Sequence, residues 1–125
     1  MNKTTNNQTE INQAVDHLDN PLLLPQLADL FSLLGDTSRL TILVRCLSDF
    51  INVSELTTTT GLSQPLVSHH LRLLKASRLV VAERRGRQMF YRAADHHVQH
   101  VISDMLEHLT ESNDHTKQHI GGHCG

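Results

Sequence analysis

Apolar residues recur at helical spacing through most of the chain, give way once to extended runs, and return to helical spacing near the end. From Met1 to about Asn20 the chain is rich in Asn, Thr and Gln with little to bury, so residues 1–20 are expected as a flexible arm. Beyond Pro21, residues Leu22, Leu23, Leu27, Leu30, Phe31 and Leu34 share a helical face as far as Gly35, a natural stop. Asp36 or Thr37 opens a second helix carrying Leu40, Leu43, Val44 and Leu47. Asn52-x-x-Glu55 has the form of a capping box for a short third helix, which Gly61 ends. Ser63 fits the N-cap of a fourth helix, with Leu62 and Val67 as its apolar staple and Pro65 in the first turn, where a missing N–H is harmless. That helix is expected to reach about Ala76 and to turn Leu66, Val67, Leu71 and Leu74 toward the core.

After Leu79 the period changes. Leu79–Ala82 and Met89–Tyr91 are short β-prone runs on either side of a polar, Gly86-containing turn, which predicts a hairpin with Arg84, Arg85 and Arg87 at its tip. A last helix opens near Asp95, a good cap, and is expected to fade near Ser112. Residues 112–125 are then a flexible tail containing His115, His119, His123 and Cys124. Two short helices joined by a tight Gly-containing turn and followed by a basic hairpin predict a winged helix-turn-helix over residues 21–111, mainly α with one small β-hairpin.

Charge sharpens the picture. The net charge of −2 conceals a basic middle, Leu62–Arg92, where seven cations (Arg72, Lys75, Arg78, Arg84, Arg85, Arg87 and Arg92) face Glu83 alone, while each flank carries −4. A basic block within an acidic chain points to a polyanion-binding face. The fourth helix would enter the major groove of double-stranded DNA. Gln64 suits adenine, Ser63, Ser68 and His69 suit bases or phosphates, Arg72 and Lys75 belong to the same DNA-binding set, and the wing arginines suit phosphates or the minor groove. His70 is more suited to support than to reading. Aromatic residues are scarce, so the core must be Leu, Val and Ile. At 125 residues the chain buries one modest core. No stretch has the length or apolarity of a membrane span and the first residues lack a leader-like apolar run, so a cytoplasmic protein without membrane partners is expected. Cys46 sits in an apolar helical context as a small core residue, and Cys124 is an exposed thiol, so the two do not form a disulfide framework.

The last helix carries the second chemical signal, D-x-H-x10-H-x2-E, formed by Asp95, His97, His108 and Glu111. Eleven residues are about three helical turns, so the two imidazoles share a face but lie roughly 16 Å apart along the axis. A zinc-like ion holds its ligands at roughly 2 Å, so a single chain cannot close the site. Two copies packed antiparallel about a twofold axis would bring Asp95 and His97 of one to His108 and Glu111 of the other, twice over. The band also contains His100, Asp104 and His115, and an apolar arc of Val98, Val101, Ile102, Met105, Leu106 and Leu109 adjoins it. A closed four-ligand site in a small chain argues against a hydrolytic metalloenzyme.

The stretches L-G-D-T-S-R-L-x-I-L, V-S-E-L, G-L-S-Q-P-L-V-S-H-H-L-R-L-L-K and G-R-Q-M-F-Y-R together resemble the ArsR/SmtB family of metal-responsive bacterial repressors, over roughly Leu27 to Glu111. The resemblance implies a homodimer that blocks transcription and leaves its operator when metal binds. One branch of that family places its ligands as D-x-H and H-x2-[HE] on the last helix, which Asp95, His97, His108 and Glu111 match. It also implies a link from His108 to the backbone at the end of the reading helix, at Arg78. The Cys-x-Cys used by soft-ion sensors is replaced by Thr57–Thr60, which disfavours arsenite, cadmium or lead at that position. Two nitrogens and two oxygens favour Zn(II), whereas extra ligands from His115, His119 and His123 would suit Ni(II) or Co(II).

Overall fold

Gly61 takes a left-handed backbone conformation (φ 74°) and Ser63 an extended one, and between them they end one helix and start the next within three residues. The computed structural model describes residues 3–120, with side chains over 7–113. It divides into two units, Met1–Thr37 and Ser38–Gly125.

The first unit contains α1 (Lys3–Asp16), a single 3-10 turn (His17–Asp19) and α2 (Leu23–Leu34). Residues 1–20, expected from composition as a flexible arm, are helical over Lys3–Asp16 and make a 3-10 turn over His17–Asp19. Ile11, Val15 and Leu18 stand at i, i+4 and i+7 there, an amphipathic stripe within the polar Asn- and Thr-rich composition. The stripe is exposed, as are Leu22, Leu24, Leu27 and Phe31 of the α2 region.

The second unit is built from α3 (Thr37–Arg45), β1 (Ile51–Asn52), α4 (Val53–Thr60), α5 (Gln64–Ala76), β2 (Val80–Arg85), β3 (Gln88–Ala93) and α6 (His96–Ile120). Its core is aliphatic, as expected: Ile42 and Leu43 of α3, Leu56 of α4, Val67, Leu71 and Leu74 of α5, Val80 and Ala93 of the hairpin, and Ile102 of α6. Leu66 is the exception to the expected inward set, being exposed, because it lies at the edge of the buried arc of α5, about a quarter-turn from the mean direction of Val67, His70, Leu71 and Leu74. The hairpin turns at Gly86 (φ 64°), with Arg85 opposite Gln88 and Val80 opposite Ala93. A third strand not foreseen, β1, pairs antiparallel with β3 through Ile51–Tyr91 and Asn52–Phe90 and completes the order β1-β3-β2. α6 is anchored at its start by Gln99, whose side-chain amide donates to the Leu47 carbonyl at 2.7 Å. It continues to Ile120 rather than fading near Ser112, since no Gly or Pro interrupts it before Gly121.

Candidate DNA-reading face and metal centre

α4 and α5 form the helix-turn-helix. Asn52 caps α4 by accepting from the Glu55 N–H at 2.8 Å, and Ser63 caps α5 by accepting from the Leu66 N–H at 3.4 Å. The hydroxyls of Thr57, Thr59 and Thr60 donate to carbonyls one turn back, at Val53, Glu55 and Leu56, so the segment that lacks thiolates offers helix-bound hydroxyls instead. Burying Val67, His70, Leu71 and Leu74 leaves the other side of α5 to solvent. Ser63, Gln64, His69, Arg72 and Lys75 are exposed there and Ser68 is half-buried. His70, 4% exposed, is a core residue rather than a reader.

A cleft of about 400 Å³ runs between the start of α5 and the wing. Gln64 and Ser68 line it with Arg87 of the hairpin, and so do Asn52, Ser54, Gln88 and Tyr91, which the sequence reading passed over. The available signal was that Gln88 adjoins Arg87 and that Ser54 lies two residues after the Asn52 cap. Asn52 serves twice, because its Nδ2 also donates to Gln88 Oε1 at 3.2 Å and so ties the start of α4 to the wing. The three wing arginines are not equivalent. All three are exposed, but Arg85 alone folds onto Phe50 and Phe90, 4.7 and 4.9 Å from the ring centres, and binds Glu83.

α5 ends in a Schellman motif: the Leu79 N–H donates to the Leu74 carbonyl and the Arg78 N–H to that of Lys75. Arg78 occupies the left-handed position (φ 63°) usually taken by Gly. Leu74 and Leu79, both buried, supply the apolar contact positions of that motif.

On α6, Asp95 Oδ1 accepts from the Val98 N–H at 3.0 Å, so the carboxylate caps the helix and keeps its second oxygen for another partner. Asp95, His97, His108 and Glu111 are all exposed. The His97 ring lies 4.7 Å from that of His96, which in turn is 6.1 Å from His100. Among the described residues no three His, Cys, Asp or Glu side chains converge on one point. With α6 continuous from His96 to Ile120, His97 and His108 stay three turns apart. Beside them Val101, Met105, Leu106 and Leu109 are exposed. Positions 115 and 119 fall on the α6 backbone beyond the described side chains, and His123 and Cys124 lie outside the described residues.

Residues 38–81 match the family described as bacterial regulatory protein, arsR family. Over 88 residues the chain is 38% identical to a transcriptional repressor SmtB homolog of Synechocystis, covering 70% of this chain and 67% of that protein. Over 59 residues it is 48% identical to the HTH-type transcriptional repressor SmtB of Mycobacterium tuberculosis, a match spanning 47% of this chain and 44% of the relative. In structure it resembles the homodimeric winged helix-turn-helix DNA-binding domain of a possible ArsR-family regulator from Mycobacterium bovis, with TM-score 0.70 and 30% identity over 74% of this chain and 86% of that one.

Proposed function

The chain belongs to the ArsR family of bacterial regulatory proteins, and on that footing we propose that it is a dimeric repressor released from operator DNA by Zn(II) bound between its subunits. At the coarser level it is a metal-responsive, DNA-binding transcriptional repressor and not an enzyme. The exposed side of α5 and the cleft beside it support the DNA half of the proposal. Gln64 at the N-terminal end of α5 is placed to meet base edges, with Ser63, Ser68 and His69 beside it, while Arg72, Lys75, Arg84 and Arg87 supply backbone charge.

One observation carries the metal half: two N/O donor pairs of complementary kind stand exposed at opposite ends of a three-turn stretch, beside apolar side chains exposed on the same helix. Neither pair is sufficient alone, and an antiparallel copy supplies the missing half to each. The donor set fits, since two imidazole nitrogens and two carboxylate oxygens match tetrahedral zinc, with Co(II) as its closest substitute. When bound, the ion would tie Asp95 and His97 of one protomer to His108 and Glu111 of the other. Side chains held across the seam set the spacing of the two α5 helices. A spacing that no longer fits the half-sites opposes DNA binding, with a reciprocal coupling of about 1–3 kcal/mol. His108, reaching toward the α5 end at Arg78, is the proposed link. The continuation of α6 past Glu111 supports one second reading, a Ni(II) or Co(II) sensor that recruits His115, His119 and His123.

The experiment mixes two variants of the full chain. D95N/H97N lacks one half of each site and H108N/E111Q lacks the other. Either variant alone is expected to lose tight zinc binding. Heterodimers restore one complete site, so mixing with subunit exchange should recover high-affinity binding in proportion to the heterodimer fraction. Full retention in either single preparation, or no recovery on mixing, would sink the inter-subunit assignment. Co(II) absorption then separates the readings, because intense tetrahedral bands favour zinc and weak octahedral bands favour the alternative.

A further inference from the structure

We propose that Arg85 is a positioning residue of the wing, which holds the β2–β3 hairpin against the segment leading into α4 and leaves the DNA backbone to Arg84 and Arg87. This inference rests on the DNA-binding reading above and deepens it.

Successive residues of a strand leave opposite faces of the sheet, so the adjacent arginines at 84 and 85 cannot share a task. The ladder pairs Arg84 with Met89 and Arg85 with Gln88. Arg84 therefore shares a face with Met89 and Tyr91, two residues that line the cleft beside Gln64 and Ser68. Arg85 shares the other face with Glu83, Gln88, Phe90 and Arg92, of which Gln88, at the end of the strand, also borders the cleft. Its guanidinium stands over Phe50 and Phe90 and its Nε donates to Glu83, while Arg92 approaches the Phe50 ring at 5.0 Å. Arg84 and Arg87 have no ion-pair or ring partner among the described residues.

The location makes the stack consequential. Phe50 precedes β1, which is two residues long and leads directly into α4. Two pairings are a weak tether for a hairpin that must hold its angle to α5. A guanidinium over one ring on each side of that junction stiffens it, and Asn52 adds a hydrogen bond to Gln88 on the same strand. Glu83 meanwhile offsets the charge that Arg85 would otherwise present to phosphate.

Salt dependence separates positioning from contact. Each cation that neutralises a phosphate adds about 0.9 to the slope of log K against log salt. The probe is a duplex selected by the wild-type chain from a randomised pool, titrated at several salt concentrations. Arg87→Gln is expected to lower the slope by about 0.9. Arg85→Gln is expected to weaken binding roughly threefold to tenfold at every salt concentration while leaving the slope parallel to wild type. Phe50→Leu, which removes a ring and no charge, should reproduce the Arg85→Gln line. In the DNA-free protein the Arg85 Nε–H resonance should carry a ring-current shift that Phe50→Leu reduces. A drop in slope for Arg85→Gln equal to that of Arg87→Gln would overturn the proposal, and so would wild-type affinity in that variant. Both arginines are exposed, so the glutamine variants should keep the fold, and thermal unfolding checks this. Failure to select any duplex would remove the DNA-binding reading and this inference with it, whereas failure of Arg85→Gln alone leaves that reading standing.

Discussion

Cys46 has no exposed surface, and burial pushes its thiol up to about 12. The unfolded chain releases that proton from about pH 9, so the folded state's advantage is complete below that value and is lost progressively as pH rises toward 12. The limiting slope is about 1.4 kcal/mol per pH unit. Denaturant unfolding across that window should show the decline, and Cys46→Val should flatten it. The same burial makes the native thiol inert, so alkylation of Cys46 at pH 8 should proceed only at the rate of opening. Arg78 is the reverse case, an exposed residue held in a conformation that disfavours side chains. Arg78→Gly should stabilise the domain by about 0.5–1 kcal/mol, measured by urea unfolding, by relieving the left-handed position. At this scale the sequence was readable where a residue's environment is local. Cys46 as a core thiol and His70 as a buried support followed from the apolar rows around them. Leu66 and Arg85 did not, because which side of a helix or pleat meets the core depends on partners distant in the chain.

Asp95 caps α6 and is also a proposed metal ligand, and the two roles can be pulled apart. Asp95→Ala should cost about 1 kcal/mol in thermal or urea unfolding through the lost α6 cap and should also weaken metal binding. Asp95→Ser keeps an N-capping oxygen but no carboxylate, so stability should stay within a few tenths of a kcal/mol of wild type while zinc affinity falls. Equal zinc affinity in Asp95→Ser and wild type would show that the aspartate only caps. Elements with their own punctuation were legible in this way. α4 and α5 announce themselves through Asn52, Gly61, Ser63 and Pro65, and the hairpin through Gly86. β1 was not, since two residues have no period and become a strand only by pairing with β3. The α1 helix was masked by polar composition despite its Ile11, Val15 and Leu18 stripe, and the end of α6 was set too early because loss of apolar spacing is a weaker stop than Gly121. The proposed ligands Asp95, His97, His108 and Glu111 stand out as a pattern for the same reason that they remain separate in one chain: helical spacing fixes which face they share and how far apart they lie.

The molecule as a whole leaves an apolar side of α6 exposed. Val101, Met105, Leu106 and Leu109 are each 45–55% exposed, large apolar side chains on the helix that also carries both proposed half-sites. Covering the exposed half of each such side chain contributes about 0.7–1.5 kcal/mol, so a second copy of α6 is a strong physical candidate for the cover. Dimerisation, metal closure and DNA spacing then depend on one surface and should fail together. Met105→Glu places a charge in that seam without touching a donor residue or the α5 face. Sedimentation velocity should show monomers at concentrations where the wild type is dimeric. Tight zinc binding should fall to the level of a half-site, and affinity for a two-half-site duplex should drop at least tenfold, since the second α5 no longer docks as part of the same body. His97→Asn makes the contrast: the dimer and its DNA affinity should persist while the zinc response is lost. If Met105→Glu stayed dimeric with its zinc affinity intact, the seam would lie elsewhere, and the pairing of Asp95 and His97 with a partner's His108 and Glu111 would lose its geometric basis.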